Sequence, residues 1–186
     1  MQNKSIAVAL MVSGLFATHQ AAATERLYGV IGAGYSQSEF RQGEQDGLSY
    51  KAAIGYQLDA QWYLEAGYQR IADGSVDVPP QSNESDALAG DALSLSVLGK
   101  AGSREGELFY RLGILRGDLE GYQTVTQDGV DGLVYYNDSV VAGTVGLGFD
   151  WYVGLNSMIR FEFEHIFGED DLKVNAATIG FRYNFN

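Results

Sequence analysis

Eight charged side chains could do chemistry in this chain: Lys51, Glu65, Lys100, Arg111, Arg160, Glu162, Glu164 and Arg182. Acids and bases brought together can neutralise one another as buried ion pairs. A carboxylate left unpaired beside a substrate can instead move a proton. Glu162 and Glu164 could carry acid/base work, but they alternate with apolar residues and share a side with Arg160. Nucleophilic catalysis needs a base beside Ser, Thr or Cys. There is no cysteine, hence no disulfide framework and no thiolate metal site. Past the first 24 residues the one histidine is His165, and two residues on stands Phe167. Gly29-x-x-Gly32-x-Gly34 departs from the G-x-G-x-x-G spacing of a nucleotide loop, and no helical pattern follows it. Asp128-Gly129-x-Asp131-Gly132 and Glu169-Asp170-Asp171 offer hard oxygen ligands to a divalent cation, although neither matches an EF-hand loop. Such acids also simply keep a connection soluble. No cofactor is expected. The net charge of −12 opposes nucleic acid, whose readers carry basic footprints.

The elements that would position these side chains begin after a leader. Lys4 is followed by an apolar run from Ile6 to Phe16 and by Ala21-Ala22-Ala23, a small-residue cleavage pattern. This predicts a secretory signal peptide over residues 1–23 and a single domain over 24–186. No later stretch is apolar for long enough to span a membrane as a helix.

The rest divides into segments of about ten residues with period-two patterning, the length of a tilted membrane-crossing strand. They fall near 27–36, 48–58, 62–71, 92–101, 107–116, 139–152, 157–167 and 174–185. In the seventh, Ile159, Phe161, Phe163 and Phe167 oppose Arg160, Glu162 and Glu164; in the eighth, Ile179, Phe181, Tyr183 and Phe185 oppose Thr178, Gly180, Arg182 and Asn184. Successive strand residues face opposite sides, so each segment has a greasy and a polar face. Connections alternate, long at 37–47, 72–91 and 117–138, short at 59–61, 102–106 and 153–156, intermediate at 168–173. That asymmetry belongs to transmembrane barrels, with tight periplasmic turns and longer extracellular loops. The fold class is therefore all-β: a closed antiparallel transmembrane barrel of about eight strands.

An eight-stranded interior is only just wide enough for side chains to fill. The many Phe, Tyr and Trp rings therefore belong outside, and the charged set belongs in the lumen. Glu65 with Lys100 and Glu162 with Arg182 are the expected ion pairs. The basic residues in outward phase, Arg70, Arg116 and His165, all sit at strand ends, where charge near lipid is tolerated. Trp62 and Trp151 lie beside short turns, as a periplasmic aromatic girdle requires. Tyr35, Tyr50, Tyr68 and Phe167 supply the opposite girdle.

Tyr28-Gly29-Val30-Ile31-Gly32-Ala33-Gly34-Tyr35 and Ile179-Gly180-Phe181-Arg182-Tyr183-Asn184-Phe185 resemble the first and last strands of the small outer-membrane barrel family, which includes the outer-membrane protein A transmembrane domain and the OmpX/Ail group. The resemblance covers the whole chain after the leader. It implies a periplasmic N-terminus, the outer membrane of a Gram-negative-type bacterium, and insertion by the barrel-assembly machinery. Family chains usually end on the aromatic residue, whereas Asn186 follows Phe185 here. Some barrels of this size modify lipid A, and the deacylase kind carries His and Ser two residues apart; His165 with Phe167 does not fit. The expected function is a non-enzymatic integral barrel with a structural or surface-interaction role through acidic extracellular loops. Its partners would be outer-membrane lipid and lipopolysaccharide, whose phosphates Arg70 and Arg116 could meet as charge-assisted donors. A lipid A-modifying enzyme and a soluble periplasmic ligand-binding barrel are the alternatives.

Overall fold

The computed structural model describes residues 26–40, 43–73, 88–127, 130–169 and 171–185. The expected leader, Pro79-Pro80, Asp128-Gly129, Asp170 and Asn186 lie outside them. Eight strands run in order: β1 (Leu27–Phe40), β2 (Gly43–Gln57), β3 (Trp62–Asp73), β4 (Leu88–Gly102), β5 (Gly106–Gln127), β6 (Val130–Tyr152), β7 (Ser157–Gly168) and β8 (Lys173–Asn184). Each pairs antiparallel with the next, and β1 pairs with β8, closing the barrel.

Alternation sets the wall. On β7, Arg160, Glu162 and Glu164 are buried while Phe161, Phe163 and Phe167 are exposed. Ile31, Tyr35, Leu93, Leu112, Leu147, Ile179 and Phe181 also face outward, as do both tryptophans. Apolar side chains thus clad the outside, the arrangement that lipid rewards and water would penalise.

Bulky inward rings sit over glycine on the neighbouring strand. Tyr28 is directly opposite Gly55, and Phe109 directly opposite Gly148. A Cβ at either glycine would fall inside the facing ring. These pairs let aromatic side chains lie along a wall that has little room for them.

The tight turns are closed by side chains that suit them. Asp59 Oδ1 accepts from the Gln61 and Trp62 amides at 2.8 and 3.0 Å between β2 and β3. Ser103 Oγ accepts from the Glu105 and Gly106 amides between β4 and β5. Such Asx- and ST-type turns replace missing ladder bonds.

Two of the expected long connections are strand. β5 and β6 continue through most of 117–138 and pair as far as Gln127↔Val130, with Asp128 and Gly129 between. β1 and β2 likewise continue through most of 37–47 to Phe40↔Gly43. The physical reason for the first lies in composition: β-branched and aromatic residues flank an Asp-Gly dipeptide, a strong hairpin signal. β5 pairs with β4 only up to Gly121, and β6 with β7 only from Ala142. The end of the β5–β6 hairpin therefore rises beyond its neighbours as a two-stranded ribbon, among the described residues.

Candidate functional site

The lumen holds two fillings. Toward the short turns lies a ladder of five carboxylates and five cations. At its upper end Lys51 Nζ lies 3.0 Å from Glu162 Oε2 and 2.6 Å from Glu164 Oε2. Arg111 Nε donates to Glu162 Oε1 at 2.6 Å, and its Nη2 donates to Glu65. Arg160 reaches Glu65 Oε1 through Nη1 at 2.6 Å and grips both oxygens of Asp150 at 2.6 and 2.9 Å. Asp150 Oδ2 also receives Lys100 Nζ at 2.6 Å and Arg182 Nη1 at 2.8 Å, and both cations continue to Glu107 Oε2.

Aromatic side chains line the lower rungs. The Tyr28 hydroxyl donates to Glu65 Oε1 at 2.9 Å, and the Arg182 guanidinium lies 4.1 Å from the Tyr28 ring centroid. Lys100 sits 4.5 Å from the Tyr63 centroid and Arg160 4.6 Å from that of Phe109. Cations desolvated against ring faces gain attraction beyond their ion pairs.

All eight charged residues singled out in the sequence belong to this ladder, but their partners differ from those expected. Glu65 pairs with Arg111 and Arg160 rather than Lys100, and Glu162 with Lys51 and Arg111 rather than Arg182. Register explains both corrections. Glu65 stands opposite Ser96, four residues from Lys100, and Arg182 stands opposite Met158, four residues from Glu162. Four residues at ~3.3 Å each separate them by about 13 Å along the wall. Side chains reaching across the lumen are nearer.

Asp150 and Glu107 complete the ladder and were not among those eight. Parity contained both: Asp150 shares the phase of Gly146 and Gly148, and Glu107 that of Arg111.

Above the ladder the filling is apolar. Phe40, Ile71, Ala72, Ala92, Leu115, Leu119, Val140, Ala142, Ile166, Leu172 and Val174 form one buried cluster, with Tyr136 packed against it. Leu172 comes from the β7–β8 turn. Its amide bonds to Glu169 O at 3.1 Å, and its carbonyl accepts from the Gly168 amide at 3.0 Å. Asp171 beside it takes φ 60°, the left-handed region a short polar side chain tolerates. This geometry turns Leu172 into the mouth.

The outward-phase basic residues lie where expected, at the upper rim. Arg70 is 3.9 Å from Asp91, and its Nε donates to Ala72 O at 3.4 Å. Arg116 is exposed, and its Nε donates to Ser139 Oγ at 3.0 Å. His165 Nδ1 meets Asn175 Oδ1 at 2.8 Å, and its ring stacks on Phe167. Among the described residues no group of three or more His, Cys, Asp or Glu side chains could hold a metal ion.

A family model described as the outer membrane protein beta-barrel domain matches residues 7–185. Among solved structures, the chain is similar to Neisserial surface protein A at 15% identity and TM-score 0.61, covering 86% of this chain and 97% of that one. Ail, the attachment invasion locus protein of Yersinia pestis, follows at 17% identity and TM-score 0.55, with 86% and 98% covered. The N-terminal β-barrel domain of Pseudomonas aeruginosa OprF gives 14%, 0.51, 86% and 98%. No curated protein sequence matches. With its closed eight-stranded wall and its greasy exterior, the chain belongs to the outer membrane protein beta-barrel domain family and resides in the outer membrane of a Gram-negative bacterium.

Proposed function

We propose that this barrel is a non-enzymatic surface protein whose extracellular rim and β5–β6 ribbon make its specific contacts. The observation that carries this reading is the ribbon, which among the described residues extends beyond its neighbouring strands. Asp118 and Glu120 lie on its approach and Asp131 within it, so a basic surface on another cell is the complementary partner. A two-stranded extension is a firmer platform than an unpaired loop, because its backbone is already ordered before contact. Ail, one of the structural neighbours, is described as an attachment invasion locus protein. The lumen supports the non-enzymatic part: each of its carboxylates already meets at least one cation. His165 is engaged with Asn175.

The test is attachment of bacteria displaying the chain, with and without residues 122–135, to cultured cells. Loss of attachment with an unchanged folded band in unheated gels supports the reading; equal attachment by the shortened chain removes it. Raised salt should weaken the contact, since exposed charges are screened. Unchanged lipid A masses with and without the protein are expected, and a new acylation pattern would favour the enzyme alternative.

The proposed membrane partners follow from the rim. Arg70 and Arg116 meet lipopolysaccharide phosphates, and replacing both with Ala should lower lipopolysaccharide affinity. Residues 1–23 act as the export leader, and the aromatic β8 is the strand presented to the barrel-assembly machinery.

A further inference from the structure

An ion entering this lumen from below meets one environment, and an ion entering from above meets another. At the periplasmic mouth Glu107 is the most open rung of the ladder, its side chain 16% exposed where the other nine are at 5% or less. The Tyr152 hydroxyl donates to it at 3.3 Å. Inside, partners are shared: Asp150 takes Arg160, Lys100 and Arg182, while Glu162 and Glu164 both take Lys51 and Arg111. Any one contact can therefore part while both of its charges keep another partner.

Polar surface also lies beside the ladder and above it. The hydroxyls of Ser96, opposite Glu65, and of Thr144, one inward step from Ala142, are buried without a hydrogen-bond partner. Buried hydroxyls of this kind are ordinarily satisfied by water. Higher up, seven of the eight strands, together with Leu172, contribute apolar side chains to the cluster, and the buried hydroxyls beside it are few: Ser38 Oγ donates to Ile71 O, Ser49 Oγ donates to Arg70 O, and Ser36 Oγ has no partner. An ion there would shed its hydration and find few ligands in return, as in channels gated by a hydrophobic constriction.

We propose that the apolar cluster is the seal of this barrel, and that the ion-pair ladder beneath it is a blind well open only toward the periplasm. The proposal assigns the block to Ile166, Val140, Leu119 and their neighbours, and assigns none of it to the charges.

Planar-bilayer recording on the full mature chain tests it with three proteins, each first shown to be folded by the mobility shift between unheated and boiled samples. The wild type should show no steady current in potassium chloride. A plug variant, V140S with I166S, should pass a steady one. A ladder variant, R111M, should stay silent. If the double serine variant fails to fold, I166A opens the same place by volume alone. Steady wild-type current would overturn the proposal, as would current through R111M or silence of the folded plug variant.

Discussion

The lower lumen is filled by charges that reach across the barrel, and the upper lumen by apolar side chains that meet over its axis. Both halves are buried, yet they hold the wall in different ways. In the lower half Arg160–Asp150 and Lys100–Glu107 link adjacent strands, but other contacts join strands that are not neighbours, as Lys51 on β2 joins Glu162 on β7 and Arg111 on β5 joins Glu65 on β3. Such contacts fix which strands face one another. In the upper half Phe40, Leu115, Ile166 and Val174 pack by shape, and a change in one can be absorbed by the next. The lower half therefore confers specificity of arrangement at a desolvation cost, whereas the upper half contributes packing that tolerates exchange.

The largest difference between the halves should appear when one partner is removed. R111M leaves Glu162 and Glu164 sharing Lys51, and takes from Glu65 one of its two cations. Stranding buried charge in this way costs about 3–5 kcal/mol. The urea midpoint of the folded protein in lipid, followed by gel mobility, should fall accordingly. Replacing Glu65 and Arg111 together by apolar residues of similar size should restore part of the loss. Equal midpoints for wild type and R111M would mean that the ladder does not hold the barrel.

In the apolar half I166A should cost about 2–5 kcal/mol, the range for deleting a buried aliphatic side chain. Here a conservative change discriminates: I166V should lose only about 0.5–1.5 kcal/mol, since packing scales with volume. No comparable gradation is available to Arg111, where Lys would lose the fork that reaches two carboxylates. An I166V loss as large as that of I166A would contradict a volume-graded core.

Below both halves in effect stand the glycine–aromatic pairs. G148A puts a methyl group into the Phe109 ring and G55A into that of Tyr28. Overpacking of this kind costs about 1–3 kcal/mol. G148A combined with F109L should recover much of the midpoint. If it does not, the strain lies in the wall itself, since Phe161 O also crowds that position.

How far these halves are legible in the sequence depends on what each signal measures. Parity along a strand reports which side a residue faces, and it placed all eight singled-out charges inside. It is silent on partners, because those depend on the shear between strands and on the reach of long side chains across the lumen. The apolar half was harder to foresee. Phe40 and Leu119 fall in stretches that looked like loops, and Leu172 does lie in a turn. The β5–β6 extension was hidden by Gly117, Gly121 and Gly132 and by acids such as Asp118 and Glu120, which interrupt its β-branched and aromatic residues. Pairing with a single partner strand overrides that local preference. By contrast β7 and β8 stood out because every second residue is bulky and apolar.

The smallest effect is expected outside both halves, at Arg70 and Asp91 on the upper rim. Their charged atoms are 3.9 Å apart, with side chains 38% and 44% exposed. At that exposure solvent screens most of the attraction, and such a pair contributes about 0–1 kcal/mol. R70A should therefore leave the midpoint nearly unchanged at high salt and lower it slightly, if at all, at low salt, since exposed pairs are screened within a Debye length. The lumen ladder is sheltered, so the R111M deficit should persist across the same range of salt. Measured together, the two variants separate charge screened at the open rim from charge paired inside the lumen. A loss in R70A that rivalled R111M would show that the rim, where β3 bulges between Arg70 and Ala72, is a structural joint of the barrel rather than its wetted edge.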